Sequence, residues 1–120
     1  MHTKIYNTFD VVVVPFPFTD SDCSKRRPAL ILSSFDSFGV MAGHSVMAMI
    51  TSAQNNPWPL DVNLVGIVEA GLSKASTVRM KFFTLDHRLI IRKIGTLSFN
   101  DQQAVIIALN KLFPMSESFA

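Results

Sequence analysis

Four consecutive valines constrain this chain more than any other stretch. They sit in Asp10-Val11-Val12-Val13-Val14-Pro15-Phe16-Pro17-Phe18. β-Branched side chains pack well on a pleated surface, and two prolines exclude a helix interior. The run is too short for a helix and predicts a strand within residues 5–18. Its far end belongs at a sheet edge, because proline cannot donate to a ladder. A polar, turn-forming cluster over 19–24 follows, and then Lys25-Arg26-Arg27-Pro28-Ala29-Leu30-Ile31-Leu32-Ser33, where a basic segment becomes wholly apolar. The expectation is a loop over 19–27 and a second, central strand over 29–34. Pro28 suits the first residue of that strand and holds Arg27 extended, which aims its guanidinium in a defined direction.

The rest of the chain continues in short segments. Residues 35–43, with two glycines, read as a loop, and 44–51 as a strand that Thr51-Ser52 closes. Residues 53–59 form an irregular loop holding Pro57-Trp58-Pro59, and 60–64 alternate like a half-exposed strand. Residues 66–71 give no decisive pattern. Residues 76–82 and 89–94 are predicted strands joined through 84–87, with their cations sharing one exposed face. Ser98 can cap a helix, with Asp101 favourable in its first turn. Phe99, Val105, Ile106, Leu109, Leu112 and Phe113 then recur at three- and four-residue spacing, giving about four helical turns that end near Pro114. Short strands followed by one helix predict a mainly β fold, a small and strongly bent antiparallel barrel capped by a C-terminal helix.

At 120 residues, the chain is sized for a single domain spanning 1–120. Apolar residues make up 48% and charged residues 17%, with mean hydropathy +0.30. That composition predicts apolar surface left over for a partner. The net charge of +2 and pI near 8.9 are too mild for a polycation, so any contact with nucleic acid should be local. A lone cysteine, Cys23, excludes an internal disulfide and fits a reducing cytoplasm. There is no apolar leader, no run long enough to span a membrane, no glycine-rich phosphate loop and no metal-spaced Cys/His cluster. The expectation is a cytoplasmic protein with no metal, no cofactor and no membrane contact.

The remaining chemistry lies in the basic segment and the strand end. Cutting RNA without a metal requires orienting the ribose 2′-hydroxyl, moving protons and stabilising charge on the phosphorane-like transition state. Arg27 can supply the charge stabilisation, and Thr51 can hold a phosphate oxygen or the attacking hydroxyl. Arg26, Lys25 and Ser52 are candidate RNA contacts. Asp20 can orient Arg27 or accept a proton, although forming a turn is the commoner role for such an aspartate, and Asp22 can pair with the same arginine. Trp58 can stack on an unpaired base or anchor its loop. His44 and His87 titrate near neutrality, but most such histidines do nothing catalytic. Met41, Met47 and Met49 read as core or interface filling.

These segments, taken together, resemble the MazF/PemK (Kid-like) toxin endoribonucleases of toxin–antitoxin systems. The resemblance rests on the order and spacing of Asp10 to Asp20, Lys25 to Ser33 and Met49-Ile50-Thr51-Ser52. It extends over Ala70-Gly71-Leu72 through Thr84-Leu85-Asp86 and Gly95-Thr96-Leu97-Ser98. It implies an SH3-like barrel of the CcdB/Kid/MazF type, a homodimer and metal-independent cleavage of single-stranded RNA to a cyclic phosphate. A cognate antitoxin partner is also implied, and Arg27 and Thr51 match the family's catalytic pair. The chain departs from the family pattern at Phe9, where glycine is usual, and in the first loop, where Asp20 and Asp22 stand for the common glutamate. Two rivals remain at this point: a gyrase-poisoning toxin of the CcdB type, and a non-cleaving RNA- or antitoxin-binding module.

Overall fold

The valine run does form a strand, β1 (Asp10–Phe16), in a computed structural model that describes residues 4–16 and 25–115. The other strands are β2 (Lys25–Ile31), β3 (His44–Ser52), β4 (Val62–Asn63), β5 (Ser76–Asp86) and β6 (Arg92–Thr96). They build one six-stranded antiparallel sheet in the order β4-β5-β3-β2-β1-β6. A single helical turn, α1 (Val40–Ala42), follows a π-helical turn at Phe35–Gly39, and α2 (Phe99–Leu112) closes the chain's described part. The sheet curls into a half-barrel. The connection from β4 to β5 reaches across to β6, where the Thr96 amide donates to the Glu69 carbonyl at 3.0 Å.

Period-two alternation divides the apolar side chains between two faces. One face carries Val11, Leu30, Ala48, Ile50 and Val78 against Val105 and Ala108 of α2. The other carries Val12, Val14, Ala29, Ile31, Met47 and Leu85 against Tyr6 and Ile90. Of the three methionines read as filling, Met47 is fully buried, Met49 half-buried and Met41 almost wholly exposed.

Two carboxylates fix the ends of elements. Asp101 is 2% exposed and accepts from the amides of Val65 (3.0 Å) and Gly66 (2.7 Å), tying the β4–β5 connection to the start of α2. Ser98 caps that helix by accepting from the Asp101 amide at 3.3 Å, as predicted. Asp10, 3% exposed, accepts from the Asn7 amide (2.8 Å) and the Thr96 hydroxyl (3.0 Å), and pairs with Lys93 at 3.3 Å. Leaving either buried carboxylate short of one of these donors would cost about 1–3 kcal/mol.

Several boundaries differ from the sequence reading. The basic segment is not loop up to Arg27: β2 already begins at Lys25, paired with Phe16. Pro28 therefore lies inside the strand, opposite Val13, and is accommodated because the ladder to β3 starts only at Ala29. Residues 35–43 contain helical turns. β5 runs on to Asp86, opposite His44, and absorbs an irregularity in register between Ala48 and Met49. β6 starts at Arg92, later than predicted, because a 3₁₀ turn at His87–Leu89 precedes it and Ile90 drops into the core. Register puts Arg79 of β5 and Lys93 of β6 on one face, through Met49, Ala29 and Val12, but with three strands between them, while Arg92 pairs with Val13 on the other face.

Phe9 takes a left-handed backbone with φ 76°, the conformation for which glycine is the unstrained choice. The neighbours hold it there. Its amide donates to the Ile31 carbonyl at 2.7 Å and its carbonyl accepts from Leu97 at 3.0 Å, while its ring packs on the helix-covered core.

Candidate nucleic-acid interface

Strand register decides which candidate residues meet. Directly paired residues of an antiparallel ladder share a face. Arg27 pairs with Val14 on β1, so it lies on the face away from α2. Along β2 and β3 the pairs run Ile31 with Met47, Leu30 with Ala48 and Ala29 with Met49. The ladder between β2 and β3 ends at Ala29 and Met49; carried two residues further, the same register would bring Arg27 towards Thr51 on that face. Thr51 in turn pairs with Thr77 of β5. Continued in this way, Arg27, Thr51 and Thr77 follow one row across three strands, and only the first carries charge.

The row is held by a network from the 53–63 segment. The Asn55 amide nitrogen donates to the Thr51 hydroxyl oxygen, which leaves the threonine hydrogen free to be donated elsewhere. The Thr77 hydroxyl donates to Asn63 Oδ1 at 2.7 Å. One pair further along, Met49 meets Arg79. Arg79 grips Asp61 through Nε and one terminal nitrogen, at 3.2 and 3.0 Å, and donates to the Asn56 carbonyl at 2.7 Å. Trp58 stands beside them, 42% exposed, with Lys81 Nζ 4.7 Å and the Arg79 guanidinium 5.9 Å from its ring centroid. Asp61 accepts from the Trp58 amide at 2.9 Å. The indole is therefore a loop anchor that still exposes part of its surface.

Ser52 accepts from the Gln54 amide at 3.3 Å, shaping the turn after β3. Arg26 and Lys25 are exposed and alternate in facing, so Arg26 falls on the side opposite Arg27. Asp20, like Asp22 and Cys23, lies outside the described residues. Asn55, Asp61, Thr77 and Arg79, which the sequence reading did not single out, surround the candidate row. Counting alternate positions along β5 from Thr77 would have placed Thr77 and Arg79 together, but the pairing with β3 has no sequence signal.

The histidines belong to a different part of the sheet. His44 opens β3, and the seven residues from it to Thr51 span about 23 Å, so neither it nor its neighbour His87 can reach the row. His87 Nε2 lies 2.8 Å from the buried Ser45 hydroxyl, and its ring centroid lies 5.1 Å from that of Tyr6. Burial, and then the charge of nearby His44, hold His87 below the ordinary histidine pKa, against the opposing pull of Asp86. Asp86 is itself held well below the usual carboxylate range, chiefly by the hydrogen bonds from Arg88. A folded-state pKa below the unfolded value near 6.5 means that the unfolded chain binds the proton more tightly. Stability is then full above about pH 6.5 and is lost as pH falls towards the lower folded pKa. Urea unfolding between pH 8 and 5 should show this loss, and His87→Gln should flatten it; an unchanged slope in the variant would assign the effect to other groups.

Among the described residues no group of three or more His, Cys, Asp or Glu converges where a metal ion could sit. Nor is any described helix long and apolar enough to cross a membrane.

The fold has solved counterparts. It resembles the Mycobacterium tuberculosis toxin MazF-mt6 with a TM-score of 0.68 at 23% identity, over 88% of this chain and 96% of that one. MazF from Deinococcus radiodurans matches with a TM-score of 0.70 at 20% identity, over 94% of this chain and 100% of that one. An endoribonuclease from a mycobacterial species, solved in complex with its cognate antitoxin, matches at 0.73 with 12% identity, over 95% and 100% of the two chains. No curated protein matches the sequence. A family model described as the PemK-like, MazF-like toxin of type II toxin–antitoxin systems matches residues 7–113. That match takes in every described strand and α2, and the chain accordingly belongs to the PemK-like, MazF-like toxin family of type II toxin–antitoxin systems.

Proposed function

We propose that this toxin is a metal-independent, sequence-selective endoribonuclease acting on single-stranded RNA, mRNA in the cell. What supports the reading is that the β2–β3 register, continued from Ala29 and Met49, leads to Arg27 and Thr51 on one sheet face, with the Thr51 hydroxyl oriented by Asn55. The ribose 2′-oxygen attacks the adjacent phosphorus, the bond from phosphorus to the 5′-oxygen breaks, and a 2′,3′-cyclic phosphate remains. One proton leaves the 2′-hydroxyl and one arrives at the 5′-oxygen. Arg27 meets the charge that builds on the phosphoryl oxygens, for which its planar fork of donors is suited. Thr51, its oxygen already engaged by Asn55, donates its hydrogen to a phosphate oxygen. Lys25, Arg26, Ser52 and the exposed edge of Trp58 contact the flanking strand.

The structural neighbours include an endoribonuclease bound to its cognate antitoxin and MazF from Deinococcus radiodurans in complex with MazE. By analogy this toxin works as a cytoplasmic homodimer silenced by an antitoxin of its own. Exposed apolar side chains such as Met41 and Val68, each 88% exposed, leave surface for such partners.

The test is cleavage of a mixed-sequence single-stranded RNA in excess EDTA, with end-group analysis. Discrete cuts bearing cyclic phosphate are expected, and strict dependence on a divalent ion would overturn the mechanism. Thr51→Val keeps the β-branched shape and removes the hydroxyl. It should slow cleavage about 10- to 100-fold, the worth of one hydrogen bond to a charged group. Single-turnover rates check this, and a rate equal to the wild type would remove Thr51 from the site. If neither wild type nor variant cuts RNA, gyrase inhibition becomes the reading to test.

A further inference from the structure

Four cations outside the ion pairs of the described residues gather in one place. The ion pairs among the described residues use Arg79, Arg88 and Lys93. Arg26, Arg27, Lys74 and Arg92 take no part in those pairs, and all four line a single cleft of about 410 Å³ that has no carboxylate among the described residues of its walls. Register explains the floor. Val13 pairs with Pro28 on one side and with Arg92 on the other, so the three form a row, and Arg26 lies on the same face two residues from Pro28. The opposite wall is the segment leading into β5, where Ser73 adds a hydroxyl and the buried Ser76 hydroxyl donates to the Lys74 carbonyl at 2.9 Å, fixing the backbone that carries Lys74.

The cleft adjoins the catalytic row at both lips. Ser76 pairs with Ser52, the neighbour of Thr51, and Arg27 borders the cleft as well as continuing the register towards Thr51. Four like charges brought together in a concave site repel one another unless an anion fills it. Cations and hydroxyls suit phosphate oxygens, whereas base stacking needs aromatic rings, and none lines this cleft.

We propose that this cleft is a phosphate subsite for the RNA backbone beside the scissile bond, with Lys74 and Arg92 as its outer cations. The naming of RNA as the polymer rests on the nuclease reading above. The strand passes from the Arg27–Thr51 row over the start of β2 and is held in the cleft through its phosphodiesters, independently of base sequence.

The probe is a fluorescein-labelled, fully 2′-fluoro single-stranded RNA of mixed sequence, which lacks the attacking hydroxyl and stays intact. Anisotropy titrations across a salt series give log Kd against log salt for the wild type, Lys74→Gln/Arg92→Gln and Arg88→Gln. Lys74, Arg92 and Arg88 are exposed. Arg88 lies at the far end of β5, beyond the pair of His44 with Asp86. With about 0.7 counterions released per single-strand phosphate contact, the double variant should lower the slope by about 1.4 and weaken binding roughly 25-fold at ~0.1 M salt. Each single variant should lower the slope by about half as much, and Arg88→Gln should leave it unchanged. An unchanged slope in the double variant, or an equal fall in Arg88→Gln, overturns the subsite even if the wild type cleaves ordinary RNA. A lowered slope with no cleavage of the all-ribose RNA by the wild type upholds the subsite and overturns the nuclease reading. Absence of binding by the wild type overturns both.

Discussion

Arg27→Ala is expected to slow cleavage of single-stranded RNA by about 10²–10³-fold, the loss that follows when one donor to a developing oxyanion is removed. The side chain is exposed, and its strand partner Val14 remains buried in the core beneath it. Alanine keeps the backbone pairing, so the variant should fold and melt as the wild type does. The loss should fall mainly on the single-turnover rate at saturating RNA, because in the proposed mechanism Arg27 meets charge that is greatest in the transition state. Arg27→Lys should recover little of it, since a single ammonium lacks the planar fork. A variant that cuts at the wild-type rate would remove Arg27 from the chemistry and reduce the basic segment to RNA steering.

Gly71→Ala should be the most damaging of small changes to the fold. Gly71 has φ +74°, and a Cβ there would meet the Ile94 carbonyl oxygen at 2.0 Å and its carbon at 2.6 Å. Both are backbone atoms of β6, so no side chain can swing away. Gly95, beside Ile94, is equally confined: its Cβ would lie 2.4 Å from the Ala70 carbonyl carbon. These glycines make the seam where the β4–β5 connection closes on β6. A left-handed alanine and a displaced strand together should cost at least about 3 kcal/mol, against about 5–15 kcal/mol for a typical domain. A fall in melting temperature of about 10 °C is expected from calorimetry. The same change should open the phosphate cleft, because Gly71 forms part of its wall. A melting temperature within about 2 °C of the wild type would show that the seam can yield.

Much of the fold was legible because its signals are local. Four β-branched residues beside two prolines can only make a strand, and Ser98, Asp101 and the apolar spacing after them define α2 where it occurs. The beginning of β2 was less legible. Three cations before a proline look like loop, and only the ladder to β1 draws Lys25 onward into a strand. The late start of β6 has the same origin: apolar Leu89-Ile90-Ile91 has strand composition, yet the 3₁₀ turn and the burial of Ile90 take precedence.

The sequence by itself determined the strand and helix inventory, the polarity of the segment that carries Arg27, and the family to which the order of motifs belongs. Those depend on neighbours along the chain, where side-chain shape and spacing act directly. Only the tertiary structure decided that the register of β2 and β3 runs towards Arg27 and Thr51, 24 residues apart, that Asn55 bonds Thr51, and that Lys74 lines one cleft with Arg26 and Arg92. The physical reason is that strand order and register are set by which apolar faces can be buried together. That is a property of the whole sheet, and no short stretch of sequence encodes it.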